Sequence, residues 1–171
     1  MHKLRHAPGD PEEALTASLE AAAGPGPVYV LGLGYADKAD DGAGVLVAEA
    51  LKKPFPRFSF SEHDGVEGTV LDISEADGPA TVFFVDAADL RAAPGTVEVV
   101  ERDGIRETEI STHRVPVALM AALLERTGKR VCVVAVQPRT LEFRAPVSPE
   151  MSAAVGRVAR ALGRLMEARD G

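Results

Sequence analysis

Three residues that can bind a cation or move a proton stand at the edges of apolar runs: Asp41, Asp86 and His113. Asp41 lies in Asp40-Asp-Gly-Ala-Gly44, just after the run Val30-Leu-Gly-Leu-Gly34. Asp86 closes Val82-Phe-Phe-Val, and His113 ends Ser111-Thr-His. Two carboxylates and an imidazole make a donor set for a divalent ion that leaves coordination positions open. Water, a carbonyl or a thiolate can fill those positions. An ion held that way polarises a carbonyl or acidifies water. A carboxylate in the same place can act as a general base. The residues alone leave both roles open.

Each residue also has a structural explanation. Asp40 and Asp41 open a predicted helix, where one can cap free N–H groups while its neighbour points at an ion. Asp86 is harder to explain that way, because a carboxylate closing a buried run is costly to leave unpaired. His113 beside two capping hydroxyls reads alone as a loop residue, and it gains weight only from the two acids. His63, between Glu62 and Asp64, is an alternative imidazole for the same site. His2 and His6 lie in the polar N-terminal stretch, away from the apolar framework. Cys132, mid-strand, reads as a buried inert thiol. Gly32-Leu-Gly34 begins like a dinucleotide-binding turn, but Asp37 stands at the third glycine position, where a pyrophosphate would lie. A nucleotide-binding domain is disfavoured on that ground. With no Gly-x-Ser-x-Gly elbow and no His-Glu-x-x-His helix, ordinary serine hydrolases and zincins are disfavoured too.

Positioning these groups requires a framework, and the apolar patterning supplies one. A helix is expected over 11–23, capped by Asp10 with Pro11 at its first position. Buried strands are expected over 28–33, 81–85 and 130–136, as short continuous apolar runs. The alternation Phe58-Ser-Phe-Ser marks another strand over 58–62. Helices are expected over 41–52, 115–126 and 149–168, with a hairpin over 97–110 turning at Asp103-Gly104. Strands alternating with helices imply one α/β domain of three layers. Its sheet would be mostly parallel and twisted, of about five strands with helices on both faces. Residues 1–26 read as an extension with a short helix, and 27–171 as the domain. Ligands in such sheets sit beyond the carboxyl ends of the strands, which places Asp86 and the loop after Leu33 at one edge.

Composition bounds the answer. The 171 residues suffice for one domain with a real core. A net charge of −7 without a basic cluster argues against nucleic acid as a partner. No apolar run approaches the ~20 residues that span a bilayer, and no signal-peptide pattern opens the chain. The single cysteine fits a reducing compartment. A cytoplasmic, soluble protein is expected.

Taken in order, these segments resemble the nickel–iron hydrogenase maturation endopeptidases, most of all the branch that processes formate-hydrogenlyase-type large subunits. The matching text is Val30-Leu-Gly-Leu-Gly34, Ala39-Asp-Asp-Gly-Ala-Gly44, Val85-Asp-Ala-Ala-Asp89, Pro94-Gly95, Ser111-Thr-His113, Val136-Gln-Pro138 and Val147-Ser-Pro-Glu150. The resemblance runs over about residues 28–165. It implies that Asp41, Asp86 and His113 match the family's three metal-site positions. It also implies an endopeptidase that removes a C-terminal extension from a hydrogenase large-subunit precursor after nickel insertion. Nickel then arrives with the substrate, although other divalent ions suit the same donors. The alternative is a metal-sensing or assembly protein of the same fold that no longer cuts. A monomer is expected, since the partner is a large protein. The chain departs from the family where Asn is usual and Tyr35 stands here, where Gly is common and Ala39 stands here, and over Asp64–Gly68.

Overall fold

The computed structural model describes residues 9–101, 104, 109–110 and 117–169. The helices are α1 (Pro11–Ala22), α2 (Ala43–Lys52), α3 (Val66–Glu75), α4 (Val117–Arg126) and α5 (Pro149–Arg169). The strands are β1 (Val28–Gly32), β2 (Ser59–Ser61), β3 (Thr81–Asp89), β4 (Val97–Glu101), β5 (Glu109–Ile110) and β6 (Arg130–Val136). Two 3₁₀ turns, Ala39–Gly42 and Glu62–Asp64, precede α2 and α3.

Five strands lie in the order β2-β1-β3-β6-β4. The first four are mutually parallel, and β4 runs antiparallel along β6. The expected α/β sheet is thus present. The central strands β3 and β6 are buried along almost their whole length, which is why they carry unbroken apolar runs. On one face α1, α2 and α5 pack around Leu19, Val47, Phe83, Met151 and Leu162. On the other, α3 and α4 close over Val70, Phe84, Leu124 and Val133. The core extends N-terminal of Val28, because α1 lays Leu15, Leu19 and Ala22 into the first of these clusters.

Chain order fixes where a site can form. From β1 the chain passes through α2 to β2 on one side, then through α3 to β3 on the other. The connections therefore diverge between β1 and β3, and in sheets of this kind ligands bind at such a switch, beyond the strands' carboxyl ends.

Several local expectations need correction. Of the expected hairpin over 97–110 the two ends are described: β4 pairs with β6, and Glu109–Ile110 pairs antiparallel with Ala88–Asp89 of β3, while 102–103 and 105–108 lie outside the described residues. The helix over 41–52 is a 3₁₀ turn followed by α2. The third strand runs to Asp89, so Asp86 lies inside it. Helix α3 had no counterpart in the sequence reading.

Candidate active site

The approach of α2 to the sheet begins with two glycines. A side chain at Gly44 would meet the Val85 carbonyl at 2.0 Å and the Leu33 carbonyl at 2.4 Å. One at Gly32 would meet the Gly44 carbonyl at 2.0 Å. The first turn of α2 therefore rests on the backbone of β1 and β3. Gly32 and Gly44 serve backbone packing.

Just above that contact, Gly34 turns the chain at φ 118°, a conformation that favours glycine. A Cβ there would lie 1.9 Å from the Asp41 carbonyl and 3.7 Å from Oδ1 of Asp86. Gly34 is thus approached by the Asp41 backbone carbonyl and by the Asp86 carboxylate. Asp41 reaches it from the 3₁₀ turn, and its Oδ2 accepts the Tyr35 N–H at 3.0 Å. Asp86 reaches it from β3, one residue past the end of the β1 ladder, where Gly32 pairs with Val85. On its other side Asp86 still pairs with Ala135 of β6. Both acids are buried, with exposures of 2% and 0%. Two buried carboxylates near the sheet's switch point are suited to a cation.

His113, Ser111 and Thr112 lie outside the described residues, as do His2 and His6. His63 is exposed on the 3₁₀ turn after β2. Its neighbour Asp64 is occupied structurally: it accepts the Ser61 N–H at 2.9 Å and pairs with Lys52 at 2.6 Å. The Lys52 ammonium, followed by burial that opposes it, leaves the Asp64 carboxyl below its usual pKa. Among the described residues, no group of three His, Cys, Asp or Glu is assembled for a metal ion. His63 therefore does not join Asp41 and Asp86 in such a group. Cys132 is buried, and burial pushes its thiol pKa up, in keeping with an inert role.

Asp40 has a separate job. Its carboxylate accepts N–H bonds from Ser148 at 2.7 Å and Arg139 at 2.8 Å, and the Ser148 hydroxyl at 2.7 Å. Burial is the strongest single influence and pushes its pKa up. The hydrogen bonds from Ser148, Arg139 and Thr140 together outweigh it, so the carboxyl sits below its ordinary value. The same Ser148 hydroxyl accepts the Met151 N–H, starting α5. Asp40 thereby fastens the loop after β6 to the turn that carries Asp41.

Gln137 acts similarly on the other strand. Its Oε1 accepts the Leu90 N–H at 2.6 Å and holds the chain leaving β3 just past Asp86. Neither role was read from the sequence. The Ser148-Pro149-Glu150 helix start was visible there, but its partner 108 residues away was not. Ala39, at φ 48°, holds a left-handed backbone, a conformation that favours glycine.

Comparison with known proteins identifies the family of the chain. Residues 63–164 match the family model described as hydrogenase maturation protease, HycI. The hydrogenase 3 maturation protease of Escherichia coli K12 is 28% identical over 130 residues, covering 74% of this chain and 82% of that protein. The solution structure of the endopeptidase HycI from Escherichia coli superposes with a TM-score of 0.67 at 26% identity. It covers 81% of this chain and 90% of that one. The fold is shared with the [NiFe] hydrogenase maturation protease HycI of Thermococcus kodakarensis KOD1. There the TM-score is 0.71 at 21% identity, over 90% of this chain and 99% of the other. With more than half its length matched, the chain belongs to the hydrogenase maturation protease family, hydrolases of peptide bonds.

Proposed function

We propose that this protein is an endopeptidase that removes a C-terminal extension from a nickel–iron hydrogenase large-subunit precursor once nickel has been inserted. Asp41, Asp86 and His113 are the residues we assign to its site. The observation that supports this reading is that Asp41 and Asp86, both buried, lie beside Gly34 at the sheet's switch point. Carboxylates and an imidazole suit a borderline divalent ion, so these residues would hold the nickel that the precursor brings as cargo. When bound, such an ion polarises a carbonyl or acidifies water. Asp86, fixed in a paired strand, orients what docks there. Asp41, with Oδ2 tied to the Tyr35 N–H, is placed to accept a proton from attacking water. That assignment makes the chemistry aspartyl-type. We further read the protein as a cytoplasmic monomer that uses no nucleic acid; among the described residues no helix is long and apolar enough to cross a membrane.

Incubation with a nickel-loaded large-subunit precursor, followed by intact-mass measurement, tests the reading. The expected result is a precursor shortened by its C-terminal extension. A stable complex with an unchanged precursor mass would instead identify a metal-sensing or assembly protein.

A further inference from the structure

The loop after β6 and the loop after β1 form one platform beside Asp41. The Arg144 N–H donates to the Asp37 carbonyl at 2.8 Å, and the Asp40 N–H donates to the Thr140 carbonyl at 3.2 Å. The Asp40 carboxylate completes the fastening through Arg139 and Ser148. Large apolar side chains should not be left on such a surface without reason. Yet Tyr35 is 46% exposed, Leu141 45% and Phe143 58%, half of the large exposed hydrophobics among the described residues.

Two cations accompany them. Lys38 Nζ stands 5.8 Å from the centre of the Tyr35 ring, and Arg144 Cζ stands 5.2 Å from that of Phe143. Asp37 and Glu142 lie on the same two loops, but neither forms an ion pair with Lys38 or Arg144. Among the described residues both cations rest on aromatic faces, with no carboxylate partner. Arg144 is also held at φ 61°, a left-handed conformation that persists only where its surroundings impose it.

We propose that Tyr35, Lys38, Leu141, Phe143 and Arg144 bind the C-terminal extension of the precursor, as an extended segment in which an acidic side chain neighbours an apolar one. The inference rests on the endopeptidase reading above. Continuity with the site selects this occupant. The Tyr35 N–H is bonded to Asp41 itself, so peptide lying on Tyr35 is within a residue or two of the bond to be cut. The aromatic faces and Leu141 take the apolar side chain. Lys38 and Arg144, oriented in advance by their rings, take the carboxylate. Tyr35 is thereby a specificity residue, its ring both a contact for the peptide and the seat for Lys38.

Two measurements test this. The first titrates the full chain with acetyl-Glu-Leu-Glu-Leu-amide and with acetyl-Lys-Leu-Lys-Leu-amide, following backbone amides by NMR. Shifts at residues 35–38 and 140–144 with the acidic peptide alone are expected. Equal shifts with both peptides, or none with either, would overturn the proposal. The second compares precursor cleavage by the wild type, Phe143→Ser, and the double variant Lys38→Glu with Arg144→Glu. Each variant is expected to raise KM about tenfold while leaving kcat within about twofold. An unchanged KM in variants whose thermal unfolding matches the wild type would sink it. If the wild type cuts no precursor yet the acidic peptide still shifts these amides, the endopeptidase reading falls and the binding surface stands.

Discussion

Asp40 and Asp41 are neighbours in one 3₁₀ turn, where successive side chains point about 120° apart, and they do different work. The Asp41 carboxylate turns to the Tyr35 N–H, and that of Asp40 turns to the loop that begins α5. Replacing Asp41 or His113 with Ala should abolish precursor processing, and each variant should still unfold in one cooperative transition. Full processing by either variant would refute the site. Asp40→Asn should do the reverse. It places an amide donor against N–H groups that need an acceptor, costing about 1–3 kcal/mol of stability at pH 7. Because the folded pKa of Asp40 lies below its ordinary value, the stability it adds is complete above the unfolded carboxyl's pKa. That stability drains away as pH falls through the folded one. Urea unfolding from pH 7 down to pH 3 should therefore show a shallower acid loss in Asp40→Asn than in the wild type. Parallel curves would show that the Asp40 carboxylate does not anchor the loop.

At the scale of elements, the site depends on how closely α2 can approach the sheet. Gly44→Ala would drive a methyl group into the carbonyls of Val85 and Leu33. Rigid backbone cannot yield there as a flexible side chain would, so α2 must lift away. We expect a loss of about 3 kcal/mol or more, read by chemical denaturation, together with lowered processing as Asp41 moves with its turn. The elements also show what the chain reveals locally. Strands β3 and β6 were legible because double-faced burial leaves a continuous apolar run. The cap of α1 was legible too, since Asp10 accepts the Glu12 N–H as its sequence signature suggests. Helix α3 was missed although Val66, Val70 and Ile73 recur at helical spacing. Gly65 and Gly68 interrupt that signal, and the stretch is only ten residues long. Strands β4 and β5 find partners far along the chain, which no local pattern marks. Asp86 was legible as an acid ending an apolar run. The clamp from Asp40 to Ser148 was not, because nothing local marks a contact across 108 residues.

Over the whole molecule, the N-terminal helix belongs to the same packing unit as the site. Helix α1 lies on α5, the helix whose start Asp40 and Ser148 fix. Glu12 meets Arg160 at 2.8 Å and Arg164 at 3.0 Å. These ion pairs involve well-exposed arginines and are worth ~1 kcal/mol at most. The buried face decides the matter: Leu19 is fully enclosed and Leu15 nearly so, each contributing roughly 2 kcal/mol or more by leaving water. Leu19→Ala also leaves a cavity against α5 and should cost about 3–5 kcal/mol. Glu12→Gln, which removes only the charge, should cost less than about 1 kcal/mol. Thermal unfolding of the two variants separates packing from charge. If α1 is integral, Leu19→Ala lowers the midpoint by many degrees while processing at low temperature continues, because Leu19 touches neither Asp41 nor Asp86. Near-equal midpoints for Leu19→Ala and the wild type would mean that α1 is dispensable to the fold. The sheet would then stand without the first 26 residues.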